Sequence, residues 1–382
     1  MLRLSRRKFL AASAALAAAP ALGAVPSSGE VDVVIVGAGA AGIAAARRVA
    51  AAKQRFALLE AGNRIGGRCV TDNAIFAMPF DLGARWIYGP DINALRKLAS
   101  GLDIYPAPRG QLVRIGRRNA RDAELENFLA ALVRAHRAVA EIGSASADVA
   151  AAALPRDLGD WKATIEFVLG PYACGKDLAA VSAADLAHAG ERDAATFCRQ
   201  GYGALLKQLA AGLPVRLATP VRRIEWDRRG VDIETAKGML RTRTAIVTVS
   251  TNVLAGDKIE FKPELGKRQL DAAAKLSLCS FDHIALDMPG NPLGLQHDDL
   301  VFEQSAGPRT AALLANVSGS SLHLVEVAGD FGRSLAGQGA AAMTDFAAGW
   351  LAGLYGADVK RAIKRSHATR WNEEPWVRGA WS

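Results

Sequence analysis

The stretch VDVVIVGAGAAGIAAARRVA, residues 31–50, constrains this chain more than any other. A mostly apolar run, Val31–Val36, reads as a strand of the parallel kind buried on both faces. It runs directly into Gly37-Ala38-Gly39-Ala40-Ala41-Gly42 and then into an Ala/Arg-rich helical pattern ending near Ala51. In such a turn the three glycines have separate tasks. Gly37 permits the sharp reversal, Gly39 lets backbone approach a pyrophosphate, and Gly42 lets helix and strand close up. Ala41 lies in the first helical turn, whose free N–H groups face the anion.

A second strand follows at Phe56-Ala57-Leu58-Leu59-Glu60. A carboxylate at this distance from a glycine turn suits the hydroxyls of a ribose, and it disfavours a 2′-phosphate. These features predict a bound dinucleotide, and the next residues choose between FAD and NAD. Glu60-Ala61-Gly62-Asn63-Arg64-Ile65-Gly66-Gly67-Arg68 adds three glycines and two arginines, with Arg68 placed to reach a phosphate or hold the loop. A bare NAD site does not need this loop, whereas a flavin extended across the domain does. The run Asp81-Leu82-Gly83-Ala84-Arg85-Trp86-Ile87-Tyr88-Gly89 fits backbone lying along such a flavin.

The chain of 382 residues is long enough for about two domains. Residues 122–155 and 157–200 read as helices, with the face Leu125, Phe128, Leu129 and Leu132 the clearest. From Pro214 the period changes to two. Short strands are predicted at Val215–Leu217, Val221–Trp226 and Val231–Thr235, with a hairpin turn at Asp227–Gly230 and a buried strand at Ala245–Val249. An antiparallel sheet is expected from Phe281–Met288, Thr310–Val317 and Leu322–Val327, followed by helices near Leu335–Leu354 and Asp358–Ile363. The expected fold class is α/β: a Rossmann-like FAD-binding domain plus an α+β substrate domain, with the chain crossing between them more than once. Residues 31–95 and 205–265 are assigned to the first, 96–204 and 266–369 to the second, and 370–382 lead back into the first.

The N-terminus, MLRLSRRKFLAASAALAAAPALGA, places positive charges before a short apolar run that ends in small residues, as a secretory signal does. The paired arginines of Ser5-Arg6-Arg7-Lys8-Phe9-Leu10 resemble a twin-arginine export signal. The expectation is a signal peptide over residues 1–24 and a periplasmic or secreted product. That route carries folded proteins, which suits a cofactor inserted before export. Once the signal is removed, no apolar run long enough for stable membrane insertion is read. Part of the net charge of +9 sits in this segment, and the remainder forms no Lys/Arg block, which argues against nucleic-acid binding. The four cysteines, Cys69, Cys174, Cys198 and Cys279, form no CxxC or Cys/His cluster, so no metal site or disulfide framework is indicated.

Taken together the motifs resemble the FAD-dependent amine oxidases, the family of monoamine, polyamine and L-amino-acid oxidases. The resemblance rests on VIVGAGAAG, LLEAGNRIGGR and DLGARWIYG, and on Gln200-Gly201-Tyr202-Gly203-Ala204-Leu205 for the GGYxxL-like segment. It rests also on Val221-Arg222-Arg223-Ile224, on Ala245-Ile246-Val247-Thr248-Val249 and on Arg370-Trp371-Asn372-Glu373-Glu374-Pro375 for the W-x-x-(D/E)-P segment. It implies FAD held by Gly37, Gly39, Ala41, Gly42, Glu60, Arg64, Gly67, Arg68, Gly83, Ala84, Arg85 and Trp86, with Val221 at the adenine end. It implies removal of a hydride equivalent from the carbon bearing the amine of a small amine or amino acid, with O2 reoxidising the flavin. The products would be aldehyde or keto acid, ammonia or amine, and hydrogen peroxide. A homodimer is compatible with this reading.

Four departures from the family pattern shape the expectations. Many relatives place a lysine near the flavin in a K-(V/I)-x-(L/F) strand; here His283 of Phe281-Asp282-His283-Ile284-Ala285-Leu286 takes that place, and either an active-site or a bland surface position is open to it. Ala380 stands where some relatives carry the cysteine that bonds to FAD, so non-covalent FAD is expected. Trp381 stands where relatives put an aromatic wall of the substrate cage, and either that role or a packing position is open to it. Relatives also continue beyond the position of Ser382 with a strand, a G-E-x-T-like turn and a long helix. The expectation is therefore weak FAD binding and low activity for the 382 residues alone, the alternative being a non-catalytic flavoprotein that needs a partner chain.

Overall fold

The computed structural model describes residues 31–107, 111–143, 150, 154–188 and 195–382. The expected signal segment and the joint after the Asp122–Gly143 helix lie outside them.

Four short strands form the sheet that carries the glycine turn. Val33–Val36 sits at its centre, paired in parallel with Phe56–Leu59 on one side and Thr244–Val247 on the other; Val215–Arg216 extends the Phe56–Leu59 edge. The helix Ala40–Ala51 packs on this sheet through Gly42, Ile43 and Ala46. Small residues on that face allow close approach, and the strand residues beneath, Val34 and Ile35, are fully buried. Beside it lies a second four-stranded sheet. It is an antiparallel meander of Val221–Asp227, Gly230–Thr235 and Gly238–Thr242, with Glu260–Lys262 added in parallel.

The third sheet has seven strands in the order Arg365–Ala368, Phe281–Asp287, Leu322–Ala328, Ala312–Leu314, Leu300–Glu303, Gln111–Ile115, Arg118–Asn119. Its two longest members pair antiparallel with Phe281 opposite Ala328 and Asp287 opposite Leu322. Alternation divides their side chains between two faces. Ile284, Leu286, Val325 and Val327 face a core made with Leu335, Met343, Ala347 and Leu351 from the helices Gly329–Gly337 and Ala340–Tyr355. Ala285 and Leu324 face the other way, against Phe76, Phe80 and Phe197, while Phe281 and Ala328 meet Cys279 and Ala380. His283 and Glu326 belong to this second face by the same alternation.

The mixed helix-and-sheet architecture agrees with the expected fold class. Three details differ from the sequence reading. The 157–200 stretch is no continuous helix: short helical turns at Gly159–Trp161, Lys162–Phe167 and Val168–Tyr172 give way to Ala183–His188. Its end is a strand, Ala195–Cys198, which pairs with both Ile87–Tyr88 and Ile104–Pro106. Phe197 and Cys198 are buried there, and burial overrides weak local preference. The region read as one helix at Leu335–Leu354 is two, broken at Gln338-Gly339, where Gly339 takes φ +99°. A left-handed conformation of this kind suits glycine and interrupts a helix.

Candidate functional site

The glycine turn is built from both sides. Gly37 has φ +102°, and the hydroxyl of Thr248, at the end of the neighbouring Thr244–Val247 strand, donates to the carbonyls of Val36 and Gly37 at 2.8 and 3.1 Å. A Cβ on Gly42 would lie 1.7 Å from the Gly37 carbonyl oxygen, so only glycine fits that position. Gly39 is different: its Cβ would meet nothing closer than the Gly67 Cα at 4.0 Å. The space above Gly39 is open, and the first N–H groups of a 12-residue helix border it.

The loop 64–68 closes this space. Gly66 bridges Gly39 and donates from its N–H to the Ala38 carbonyl at 2.9 Å. Gly66 and Gly67 take φ +97° and +57°, conformations that favour glycine. Arg64 donates to the Gly67 carbonyl at 2.8 Å, and Arg68 donates to the carbonyl of Ala380 at 2.7 Å. Burial lowers the pKa of the Arg68 guanidinium. Glu60 accepts from the N–H groups of Ala38 and Gly62, both at 2.8 Å. A carboxylate has about four lone-pair directions, so each oxygen keeps one for a ribose hydroxyl.

Gly83 joins this loop to the seven-stranded sheet. A Cβ there would lie 2.2 Å from the Arg68 carbonyl oxygen and 2.8 Å from the Trp371 ring. The Gly83 carbonyl stands 3.1 Å from Nε2 of His283, and Ala84 donates back to Arg68 at 3.0 Å. Trp371 donates from its indole to Leu82 at 2.8 Å, and its own N–H reaches Asp282 at 2.9 Å. Burial raises the Asp282 pKa to about 6, held there against the bonds from Trp371 and Thr369, which lower it. The amide of Asn372, next to Trp371, leaves both polar atoms buried without a protein partner.

His283 is buried and on the sheet face turned toward Gly83. Its Nδ1 stands 3.2 Å from Glu326 Oε1 on the paired strand. Burial, the largest single effect, pushes its pKa down, but the Glu326 carboxylate, the Gly83 carbonyl and Asp282 together outweigh it and the net direction is up. Trp381 lies against Phe281, ring centroids 4.7 Å apart, and Phe281 lies 5.6 Å from His283. Backbone bonds between Cys279 and residues 380–381 hold that end of the chain against the sheet.

Arg85 and Trp86 have company of their own. The Arg85 side chain is 4% exposed, within 3.8 Å of Asp81 and 3.1 Å of Asp298, and bonded to Ser318. It also stacks over Phe197 at 4.2 Å. Its cation is therefore committed inside the protein, and only its backbone is free for a ligand. Trp86 stacks on Tyr88 at 5.9 Å and meets Phe197 edge-on at 4.6 Å. Val221 is buried in the core under the second sheet, packed with Val36 and Leu59. Glu326 is not singled out by the sequence, and Thr248 appears there only within the Ala245–Val249 strand motif. A single carboxylate in the apolar run Leu322–Ala328 is the signal that would have drawn attention to Glu326.

The open cradle at Gly39, the paired φ-positive glycines at 66–67 and the unpartnered Asn372 amide fit an extended dinucleotide. A comparison with protein families decides what kind: the model of the flavin containing amine oxidoreductases matches residues 40–382. The chain belongs to that family. A mouse lysine-specific histone demethylase 1B is 26% identical over 396 residues, covering 92% of this chain and 46% of its own length. A rice polyamine oxidase 4 is 28% identical over 290 residues, 66% of this chain and 58% of its own. The chain thus spans about half the length of the curated relatives it matches. Among solved structures, a putrescine oxidase bound to putrescine is similar with a TM-score of 0.73 at 19% identity, covering 92% of this chain and 87% of that one. A cyclohexylamine oxidase from Brevibacterium oxydans reaches 0.74 at 21% identity over the same shares. At these identities the structural similarity shows the fold. Family membership implies a flavin cofactor. Among the described residues no cluster of metal-ligating side chains occurs, and no helix is long and apolar enough to cross a membrane.

Proposed function

We propose that this chain oxidises a small amine or amino acid, using non-covalently bound FAD and O2. The observation that carries the reading is the 3.1 Å contact of His283 Nε2 with the Gly83 carbonyl, which joins the sheet face to the nucleotide-side loop. Bound FAD would accept the hydride equivalent from the carbon bearing nitrogen and pass two electrons to O2. For a primary amine, RCH2NH2, O2 and H2O then balance as RCHO, NH3 and H2O2.

The protein's part is to bind, orient and keep water out. The Ala40–Ala51 helix start and the glycines at 39, 66 and 67 would hold the pyrophosphate, and Glu60 the ribose. The Gly83–Ala84 backbone would lie along the ring, with His283 holding a proton at Nε2 beside it. Phe281 and Trp381 would form an apolar approach, since an aromatic face attracts an ammonium group. Ala380 has no thiol to bond the cofactor, which supports non-covalent binding. The polyamine, putrescine and cyclohexylamine oxidases among the similar proteins support an amine as substrate class.

The test is to purify the protein and denature it. FAD in the supernatant and peroxide formed with members of an amine and amino-acid panel are the expected results; recovery of NAD, or flavin retained on the pellet, would overturn the cofactor assignment. Glu60→Ala is expected to weaken FAD binding at least about tenfold, the loss of one charge-assisted hydrogen bond of roughly 1.5–3 kcal/mol. Flavin occupancy on dilution measures this, and unchanged occupancy would remove Glu60 from the ribose site.

We also propose periplasmic or secreted location by the twin-arginine route, carried by Ser5–Leu10. Arg6→Lys with Arg7→Lys is expected to keep folded protein in the cytoplasm. Fractionation of cells expressing the double variant checks it, and normal export would count against the assignment.

A further inference from the structure

The face of the seven-stranded sheet turned toward Gly83 is apolar around two ionisable side chains, His283 and Glu326. They are directly opposite each other on adjacent strands. Glu326 is fully buried and His283 is 5% exposed. Nε2 of His283 faces the Gly83 carbonyl, which only accepts, at 3.1 Å, and Nδ1 faces the Glu326 carboxyl, which only accepts when ionised, at 3.2 Å. A neutral imidazole keeps one bare nitrogen, and a bare nitrogen facing a carbonyl or a carboxylate is repelled. Doubly protonated, the ring satisfies both contacts.

We propose that Glu326 is a positioning residue that keeps His283 a fixed imidazolium, with its Nε2 proton held on the Gly83 side of the site. The proposal deepens the amine oxidase reading by assigning the state of a group at that site. The Glu326 carboxylate is fully buried and pairs with Nδ1 at 3.2 Å, and the Tyr172 hydroxyl is the other polar group set against it. A buried carboxylate is costly unless a cation stands beside it, and His283 is the cation at hand. The other charged or titratable groups near the pair are Asp282, next in sequence to His283 but on the opposite face of the strand, and the Tyr172 hydroxyl from the turn Val168–Tyr172. Asp282 favours the cationic ring, and the nearby Glu326 charge raises the Tyr172 pKa further above a level already lifted by burial. From the 81–89 run the ring meets the Gly83 carbonyl, and on the Arg365–Ala368 side only the His283 backbone is engaged, its N–H donating to the Thr369 hydroxyl at 2.9 Å. A lysine in this place would be a cation by itself; a histidine needs Glu326 to be one.

The consequence for pH has a definite sign. His283 has a folded-state pKa above its ordinary value of 6.5. The stability gained from the pair is complete below that ordinary value and is lost as pH rises through the folded-state value.

The experiment uses the full-length protein labelled with 15N-histidine, without added substrate, and the signal of His283 identified by its loss in His283→Asn. In the wild type both ring nitrogens are expected to read as protonated at pH 6.5 and to titrate above that ordinary histidine value. In Glu326→Gln, the His283 titration is expected to move down by at least one pH unit, a tenfold change in proton affinity. Glu326→Asp, which keeps the charge, is expected to restore part of it. The pH dependence of unfolding gives a second reading: the loss of stability on raising the pH through the His283 transition should vanish in both His283→Asn and Glu326→Gln. If His283 carries a bare nitrogen at pH 6.5 in the wild type, or titrates alike in wild type and Glu326→Gln, the proposal fails. These readouts do not depend on turnover, so a failed amine panel would sink the proposed function and leave this result standing.

Discussion

Gly42→Ala is expected to yield no soluble, flavin-loaded protein. The added methyl would be placed 1.7 Å from the Gly37 carbonyl oxygen and 3.0 Å from the Thr248 hydroxyl, so the helix would have to leave the strand it packs on. Ordinary overpacking costs about 1–3 kcal/mol where side chains can shift. Here the obstacle is backbone, and the cost is expected to exceed that range. Gly39→Ala is the matched control. Gly39 has an unremarkable φ of −75° and open space where its Cβ would go. It should fold as the wild type does, by circular dichroism and thermal melting, while flavin occupancy falls at least about tenfold because the methyl occupies the cradle. If Gly39→Ala kept full flavin, the space above the helix start would not be the phosphate site. If Gly42→Ala folded normally, the close packing described for the turn would be wrong.

Arg85→Met is the second large effect. It leaves Asp81, itself bonded to the Thr71 hydroxyl and the Tyr202 N–H, and Asp298, bonded to the Tyr105 hydroxyl, buried without their cation. Removing one partner of a buried pair costs about 3–5 kcal/mol because the remaining charge has no water. Chemical denaturation should show a loss of that order. Burial already raises the Asp81 pKa, and without Arg85 it would rise further. A raised carboxylate pKa gives stability that is present at low pH and lost on going up through it. The deficit of Arg85→Met is thus expected to be smaller at pH 4 than at pH 8. A loss below about 1 kcal/mol at neutral pH would show that the cation is not needed.

The glycine turn and its surroundings were legible in the sequence because each carries local chemistry. Gly37, Gly39 and Gly42 announce a turn by spacing alone, Glu60 announces itself at the end of a strand, and Gly66-Gly67 mark a loop that other residues could not form. Arg85 was legible as part of the 81–89 run but not as an internal ion pair. Asp298 lies far along the chain, and only the folded sheet brings it within 3.1 Å. Glu326 escaped for the same reason: its meaning depends on the register that sets it opposite His283. Several strands escaped because they are too short to show a period. Ile87–Tyr88 has two residues, and Ala195–Cys198 follows a helical block whose composition it shares. Gln111–Ile115 and Leu300–Glu303 pair in parallel although they are far apart in sequence, so neither shows a hairpin signal.

The central position of Val33–Val36 also bears on how the chain is made. Its neighbour on one side is emerging within seconds, but on the other side Val33 pairs with Thr244. At a synthesis rate of about 5–20 residues per second, the strand has one edge unpaired for on the order of ten to forty seconds on the ribosome. High sequence separation between pairing partners slows closure further, because loop entropy is lost before contacts repay it. The nascent chain therefore exposes an apolar strand edge for most of its synthesis, and overproduction should favour inclusion bodies unless translation is slowed or a holding chaperone is present. The part of the molecule that begins first is among the last to be finished.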